Sequence, residues 1–150
     1  MEKIDQSIAE AEMRLRKISR IIKKNGRKIL TNYTITSPQF TALQCVLEEG
    51  DLTIGELSQK IGLAFSTTTD IVDRMEKNQL VKRVRDEKDR RVVRIHVLDK
   101  GKQIIDEVIH KRQQYLSDVL EGFTEEQTEK LNELLQLLLT QMIEVESRSS

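Results

Sequence analysis

An amphipathic repeat at the amino terminus constrains this 150-residue chain more than any other feature. Ile4, Ile8, Ala11, Leu15, Ile18, Ile22, Asn25 and Ile29 recur in steps of four and three. That spacing predicts one helix over residues 2–30 with a heptad-like seam, apolar except at Asn25. At about 1.5 Å per residue such a helix is ~40 Å long, comparable to the width of the whole domain. A narrow apolar strip of that length has to be covered by other helices. Arg14, Arg16, Lys17, Arg20, Lys23, Lys24, Arg27 and Lys28 lie between the seam positions, and no acidic residue occurs from Met13 to Leu47. The charge run is either a solvated helix face or a stripe turned toward a partner or DNA.

The other end of the chain poses the same problem more acutely. Asp99 can cap a long helix over about 100–121, with Ile104, Ile105, Val108, Ile109, Leu116, Val119 and Leu120 as its apolar positions. Thr124 and Gln127 form a capping box for a final helix. That helix carries Leu131, Leu134, Leu135, Leu137, Leu138, Leu139, Met142, Ile143 and Val145. Between Leu134 and Ile143 it is apolar around too much of its circumference for a lone surface helix, so burial against a partner is its natural outlet. Ser147–Ser150 are expected to fray.

Between these helices the pattern changes. Six glycines and one proline leave little room for long irregular loops, so helices should dominate. Ser37 as cap and Pro38 at the first helical position start a helix whose apolar face is Phe40, Leu43, Val46 and Leu47, ended by Gly50. Thr53 and Glu56 form a capping box for a short helix carrying Leu57 and Ile61, and Gly62 supplies the left-handed turn that ends it. A further helix runs from about Phe65 to Asn78 with Ile71, Val72 and Met75 inward. Two short helices joined by a Gly-containing turn form a helix-turn-helix pattern. Leu80–Arg85 then reads as a strand, and Val92–Val97 alternates, with Val93, Ile95 and Val97 on one face and Arg94 and His96 on the other. The charged stretch Asp86–Arg91 connects them. A β-hairpin directly after a helix-turn-helix is a winged helix. The expected fold class is therefore mainly α with a small β-hairpin wing, in one domain spanning 1–150.

Charge separates the regions. The formal net charge is zero, which taken alone argues against a uniformly basic nucleic-acid coat. Residues 1–52 carry nine basic and seven acidic residues, residues 53–98 ten and seven, and residues 99–150 six and eleven. Within the hairpin, Lys82–Arg94 holds seven basic residues against three acidic ones. Polyanion contact is thus expected in one region only. The single cysteine, Cys45, excludes an intrachain disulfide framework and a multi-cysteine metal site, and its apolar neighbours favour a buried, inert thiol. No apolar run reaches the roughly 18 residues of a membrane span, and the first residues lack the order of a signal peptide, so a cytoplasmic location is expected. There is no Gly-rich phosphate loop, no nucleophile–histidine–acid set and no metal-ligand cluster, so neither an enzyme nor a cofactor or metal is expected.

With these elements in place, the chain resembles the MarR family of bacterial transcription regulators over nearly its whole length. The resemblance is carried by Asp73-Arg74-Met75-Glu76 ending in Leu80-Val81, by Ile35–Phe40, by Leu98-Asp99-x-Gly101 and, most specifically, by the wing motif Asp86-x-x-Asp89-Arg90-Arg91. It implies a homodimer in which the helices of about 1–34 and 100–147 intertwine, with Ile8, Leu15, Val119, Leu134, Leu138 and Met142 in the seam. It also implies that the winged-helix lobe of about 36–98 reads a palindromic operator in double-stranded DNA, in some members released by a small-molecule effector or by thiol oxidation. This sequence departs from the family in four places. Ala64-Phe65 stands where a small polar cap is usual, Thr68 at a commonly apolar position, Asp70 where a basic residue is frequent, and Lys88 where arginine is common.

The residues suggest how such a lobe would work. A recognition helix presents its first turns to base edges in the major groove, here Ser66, Thr67 and Thr69, whose hydroxyls and methyls give modest direct readout. Asp70 could accept from a cytosine but sits at the i,i+4 spacing that favours pairing with Arg74. Arg74, Lys82, Arg83, Arg85 and Lys88 are candidate phosphate contacts. Arg90 or Arg91 at the wing tip suits a narrow minor groove, with Asp86 or Asp89 bracing one of them. Tyr33, Phe40, Cys45 and Tyr115 could approach an effector pocket, or be plain core. A repressor is the default outcome. The competing class is a winged helix used only for protein–protein assembly, which would need neither Arg90-Arg91 nor the positive flank.

Overall fold

The computed structural model describes residues 1–149. Its elements run α1 (Gln6–Thr31), α2 (Ser37–Glu49), α3 (Ile54–Ile61), α4 (Phe65–Lys77), β1 (Val81–Arg85), β2 (Val93–Val97), α5 (Asp99–Val119) and α6 (Glu125–Ser149), with a single 3-10 turn at Leu120–Gly122 before α6. The chain divides into two compact units, Met1–Arg112 and the residues from Gln113 onward. The first unit holds α1 together with the helix-turn-helix and hairpin, so the long amino-terminal helix clusters with the lobe.

Local chemistry sets most helix boundaries. Asp5 caps α1 by accepting from the Ser7 amide, which starts the helix at Gln6, four residues later than the expected start at residue 2. Thr36, not Ser37, caps α2: its hydroxyl accepts from the Gln39 amide while the Gln39 side chain accepts from the Thr36 amide. Pro38 therefore occupies the second helical position, where its missing N–H costs nothing. The Thr53–Glu56 and Thr124–Gln127 boxes form as expected. Gly62 ends α3 in the left-handed region at φ 69°, the conformation that only glycine adopts without a steric penalty. α6 continues through Ser149, so the expected fraying from Ser147 is absent as far as that residue, and Ser150 lies outside the described residues.

The core of the first unit gathers one face of every element in the lobe. Phe40, Ala42, Leu43 and Val46 of α2 meet Leu57 of α3, Ile71, Val72 and Met75 of α4, Val81 of β1, Ile95 and Val97 of β2, and Ile104, Ile105 and Val108 of α5. Ala42 takes the inward place expected of Leu47, which is exposed, because the buried arc of α2 runs through 39, 42, 43 and 46. Leu30 at the end of α1 reaches the same core, beside a buried Gly26. Thr68, fully buried, donates its hydroxyl to the Ala64 carbonyl and so satisfies its one polar group within the helix.

The hairpin pairs antiparallel with Val81 opposite Val97 and Arg85 opposite Val93. A third segment joins it: the Ile95 amide donates to the Leu52 carbonyl at 2.7 Å, a bridge the sequence pattern did not announce. Val93 points to the expected face but lies beyond the core and stays exposed. Gly101 anchors the start of α5. A Cβ there would sit 2.5 Å from the Leu80 carbonyl oxygen, so the helix approaches the turn between α4 and β1 as closely as backbone permits.

The two expected dimer seams remain uncovered in the single chain. Ile8, Leu15, Ile18 and Ile22 of α1 are exposed, as is Ile4 just before it. In the second unit Leu116, Val119, Leu134, Leu137, Leu138 and Met142 are exposed as well, and no described residue of α6 is buried. No helix among the described residues is long and apolar enough to cross a membrane.

Candidate nucleic-acid interface

α4 is an amphipathic rod held by its inner face. Thr68, Ile71, Val72 and Met75 are buried, which at 100° per residue turns Ser66, Thr67, Asp70, Asp73 and Arg74 outward. Thr69 is only partly exposed, and its hydroxyl donates to the Phe65 carbonyl at 3.0 Å. Its proton is therefore committed to the helix, leaving an acceptor and a methyl to offer outward. Asp70 pairs with Arg74 at 3.2 Å, the i,i+4 arrangement expected. Ala64 at the N-cap makes no side-chain cap, in keeping with the sequence departure there.

The wing is tied to this helix by ion pairs that span long stretches of sequence. Arg83 is clamped by two carboxylates of α4: its Nη2 donates to Asp73 at 2.7 Å and its Nη1 to Glu76, while Glu76 also accepts from the Arg83 amide at 3.1 Å. The side chain is partly withdrawn from solvent, and its charge is met by two carboxylates that are themselves exposed. Arg83 thus ties the first strand of the wing to α4. Arg94 plays the matching part on the other strand. Its Nε donates to Asp86 at 2.8 Å and its Nη1 to Glu56 at 3.1 Å, with the Asp51 carbonyl at 3.3 Å, so it joins the wing to the start of α3. His96 adds a contact from its Nδ1 to the Asp51 carboxylate at 3.0 Å.

At the tip, where either Asp86 or Asp89 is expected to brace an arginine of the pair, Asp89 does so and Asp86 does not. Asp86 accepts the Lys88 and Asp89 amides at 3.0 and 2.9 Å, closing the turn, and braces Arg94 rather than either tip arginine. These hydrogen bonds, the Arg94 guanidinium first, hold its carboxyl below the usual aspartate range. Asp89 braces Arg91 in a two-bonded fork, Nε to Oδ1 and Nη2 to Oδ2, both at 3.1 Å. The fork pushes the Asp89 carboxyl down as well. The Arg91 side chain nevertheless keeps 91% of its accessible surface. Arg90 is held through its backbone, whose carbonyl accepts from Arg85 at 2.8 Å, and its side chain is exposed. Lys82, Arg85 and Lys88 converge on one open cleft along the outer face of the hairpin.

The remaining candidates are unremarkable as ligands. Phe40 is buried under the Arg112 guanidinium, 4.7 Å from the ring centre, and Tyr33 lies under Lys111 at 5.1 Å, so both act as core edge. Cys45 is half-buried, where desolvation first and the Glu49 carboxylate next push its thiol up and away from reactivity. Among the described residues no three His, Cys, Asp or Glu side chains gather as a metal site. Sequence reasoning missed the structural roles of Arg83 and Arg94. Their partners lie 7 to 43 residues away, and no periodic signal marks such pairs.

The model of the MarR family matches residues 35–93, the lobe and wing. A solved MarR family protein from Bacillus stearothermophilus is 55% identical, with a TM-score of 0.87, covering 95% of this chain and 99% of that one. The chain belongs to the MarR family. It is 59% identical over 122 residues, 81% of its length and 84% of the relative's, to the uncharacterized HTH-type transcriptional regulator YsmB of Bacillus subtilis strain 168. The transcriptional regulator Tm0710 of Thermotoga maritima is similar at 33% identity and a TM-score of 0.78, over 93% of this chain and 98% of that one. This MarR family chain is accordingly a DNA-binding transcription regulator with a winged helix-turn-helix lobe.

Proposed function

We propose that two copies of the chain bind a palindromic operator and repress transcription there, with α4 in the major groove and Arg91 in the minor groove. Arg91 carries this proposal: its guanidinium is forked on Asp89 yet almost fully exposed at the wing tip. A braced arginine gives up little rotamer entropy on insertion, and narrow minor grooves attract its charge. Arg90, Lys82, Arg85 and Lys88 flank it as phosphate contacts, while Arg83 and Arg94 hold wing and recognition helix at a set angle. Dimerisation is supported by the uncovered apolar positions: Ile8 and Leu15 of α1, Val119 of α5, and Leu134, Leu138 and Met142 of α6. Apolar surface of that extent is uncommon on a monomer. The segments of about 1–34 and 100–147 supply it, and the half-sites should lie about 34–36 Å apart, one turn of DNA.

Fluorescence anisotropy on DNA upstream of the protein's own gene tests the wing. Arg91→Ala should weaken binding about tenfold or more, and Arg90→Ala by less. Asp89→Ala separates bracing from simple charge. Removing a carboxylate should tighten binding if only charge counts, whereas loss of the brace should weaken it. Affinity should also fall steeply with salt. Unchanged binding in Arg91→Ala and in the Arg90→Ala/Arg91→Ala double variant refutes the wing assignment. Leu138→Glu should yield monomer and abolish operator binding together, and a monomeric variant that still binds the full palindrome tightly refutes the coupling.

A further inference from the structure

Phe65 is the first residue of α4, the recognition helix, and its side chain is out in solvent. It is the most exposed of the chain's three phenylalanines, at 61% against 2% for Phe40 and 43% for Phe123. Its neighbours along the exposed part of the helix, Ser66, Thr69 and Asp70, are polar. The ring stands beside the exposed Leu63 and Ala64 at the turn into α4, apart from the broad apolar faces that α1 and α6 expose. The first turn of a recognition helix is the part that approaches base edges. In the major groove the one apolar group a base pair displays is the thymine C5-methyl, and phenylalanine is among the side chains that read it by contact.

We infer that Phe65 is a specificity-determining residue that packs its ring against a thymine methyl in each half-site. This rests on the placement of α4 in the major groove, and it assigns the apolar part of the readout to a position next to the hydroxyl residues Ser66, Thr67 and Thr69. Contact with one methyl removes about one CH₂ equivalent of apolar surface from water, worth about fourfold in affinity. Two symmetric half-sites give about 15-fold.

The test pairs deletion of the ring with deletion of the methyl. A duplex selected by the wild-type protein from random-sequence DNA serves as probe, with each thymine replaced in turn by deoxyuridine, which lacks only the C5-methyl. Wild type should lose about fourfold at one thymine per half-site and about 15-fold when both are replaced. Phe65→Ser should bind the thymine duplex about as weakly as wild type binds the doubly substituted one, and should no longer distinguish thymine from deoxyuridine there. Circular dichroism and gel filtration should be unchanged, because the ring has no place in the core. Thr67→Ser and Thr69→Ser, which remove the competing methyl-to-methyl contacts, should keep the discrimination. Wild type indifferent to every deoxyuridine, or discrimination that survives in Phe65→Ser, overturns the assignment. Failure of the underlying major-groove placement would look different: selection would return no enriched sequence at all.

Discussion

Replacing Gly101 by alanine adds a single carbon where three parts of the lobe meet. The new Cβ would lie 2.5 Å from the Leu80 carbonyl oxygen, 2.9 Å from a Val97 methyl and 3.2 Å from a Leu43 methyl. The two methyls can give way by small rotations. The carbonyl cannot move freely, because it already accepts the Leu98 amide at 2.9 Å. Relief therefore requires α5 to back away from the turn between α4 and β1 by several tenths of an ångström. Overpacking of this kind costs about 1–3 kcal/mol, and the backbone contact places this case at the upper end. Alanine returns about 1 kcal/mol through its better helix propensity. The net destabilisation should be about 1–2 kcal/mol. For a chain of this length that corresponds to a fall in Tm of about 3–8 °C, followed by far-ultraviolet circular dichroism at fixed protein concentration. Gly55→Ala is the control. Its added Cβ meets nothing closer than the Thr53 hydroxyl at 3.9 Å, so stability should hold or rise. A Gly101→Ala protein as stable as wild type would refute the close approach of α5 to Leu80.

Three further outcomes follow from the site. Arg83→Ala should lower operator affinity several-fold while changing urea stability by less than about 1 kcal/mol, since its ion pairs with Asp73 and Glu76 are partly solvated; equal affinity would separate the clamp from DNA binding. The depressed carboxyls of Asp86 and Glu56 favour the folded state above the ordinary carboxylate range, and that contribution is lost as pH falls through their lowered values. Exchange protection of the Lys88 and Asp89 amides should therefore persist through the ordinary aspartate range and be lost only at more acidic pH; protection already lost at pH 5 would contradict the Asp86 turn. The raised Cys45 thiol should be alkylated more slowly than a free cysteine at pH 7 and leave operator binding unchanged as Cys45→Ser; rapid modification would argue for a reactive thiol.

Features that depend on a few neighbouring residues were legible in the sequence. The Thr53–Glu56 and Thr124–Gln127 boxes, the Gly62 turn, the Asp70–Arg74 pair and the alternation of β2 each involve residues no more than about five apart, and each formed. The α2 cap shows where even local reading slips. Ser37 next to Pro38 looks like a cap, but the Gln39 side chain can close a reciprocal box only with Thr36, three residues earlier. The apolar repeats of α1 and α6 were equally plain, and their exposure in the single chain matches an expectation of outside partners.

What the sequence determined by itself, then, is the order and type of the elements, because helix periodicity, capping and hairpin alternation are short-range effects written into adjacent side chains. Only the tertiary structure decided which charge serves which purpose. Seven basic residues between Lys82 and Arg94 look alike in sequence. Folding spends Arg83 on α4 and Arg94 on the start of α3, lets Asp86 close the wing turn, and leaves Arg91 braced by Asp89 and exposed at the tip. That sorting depends on which carboxylates the packed core brings within hydrogen-bond reach, some of them 38 residues away, and the same core decides that Gly101 has no room for a side chain.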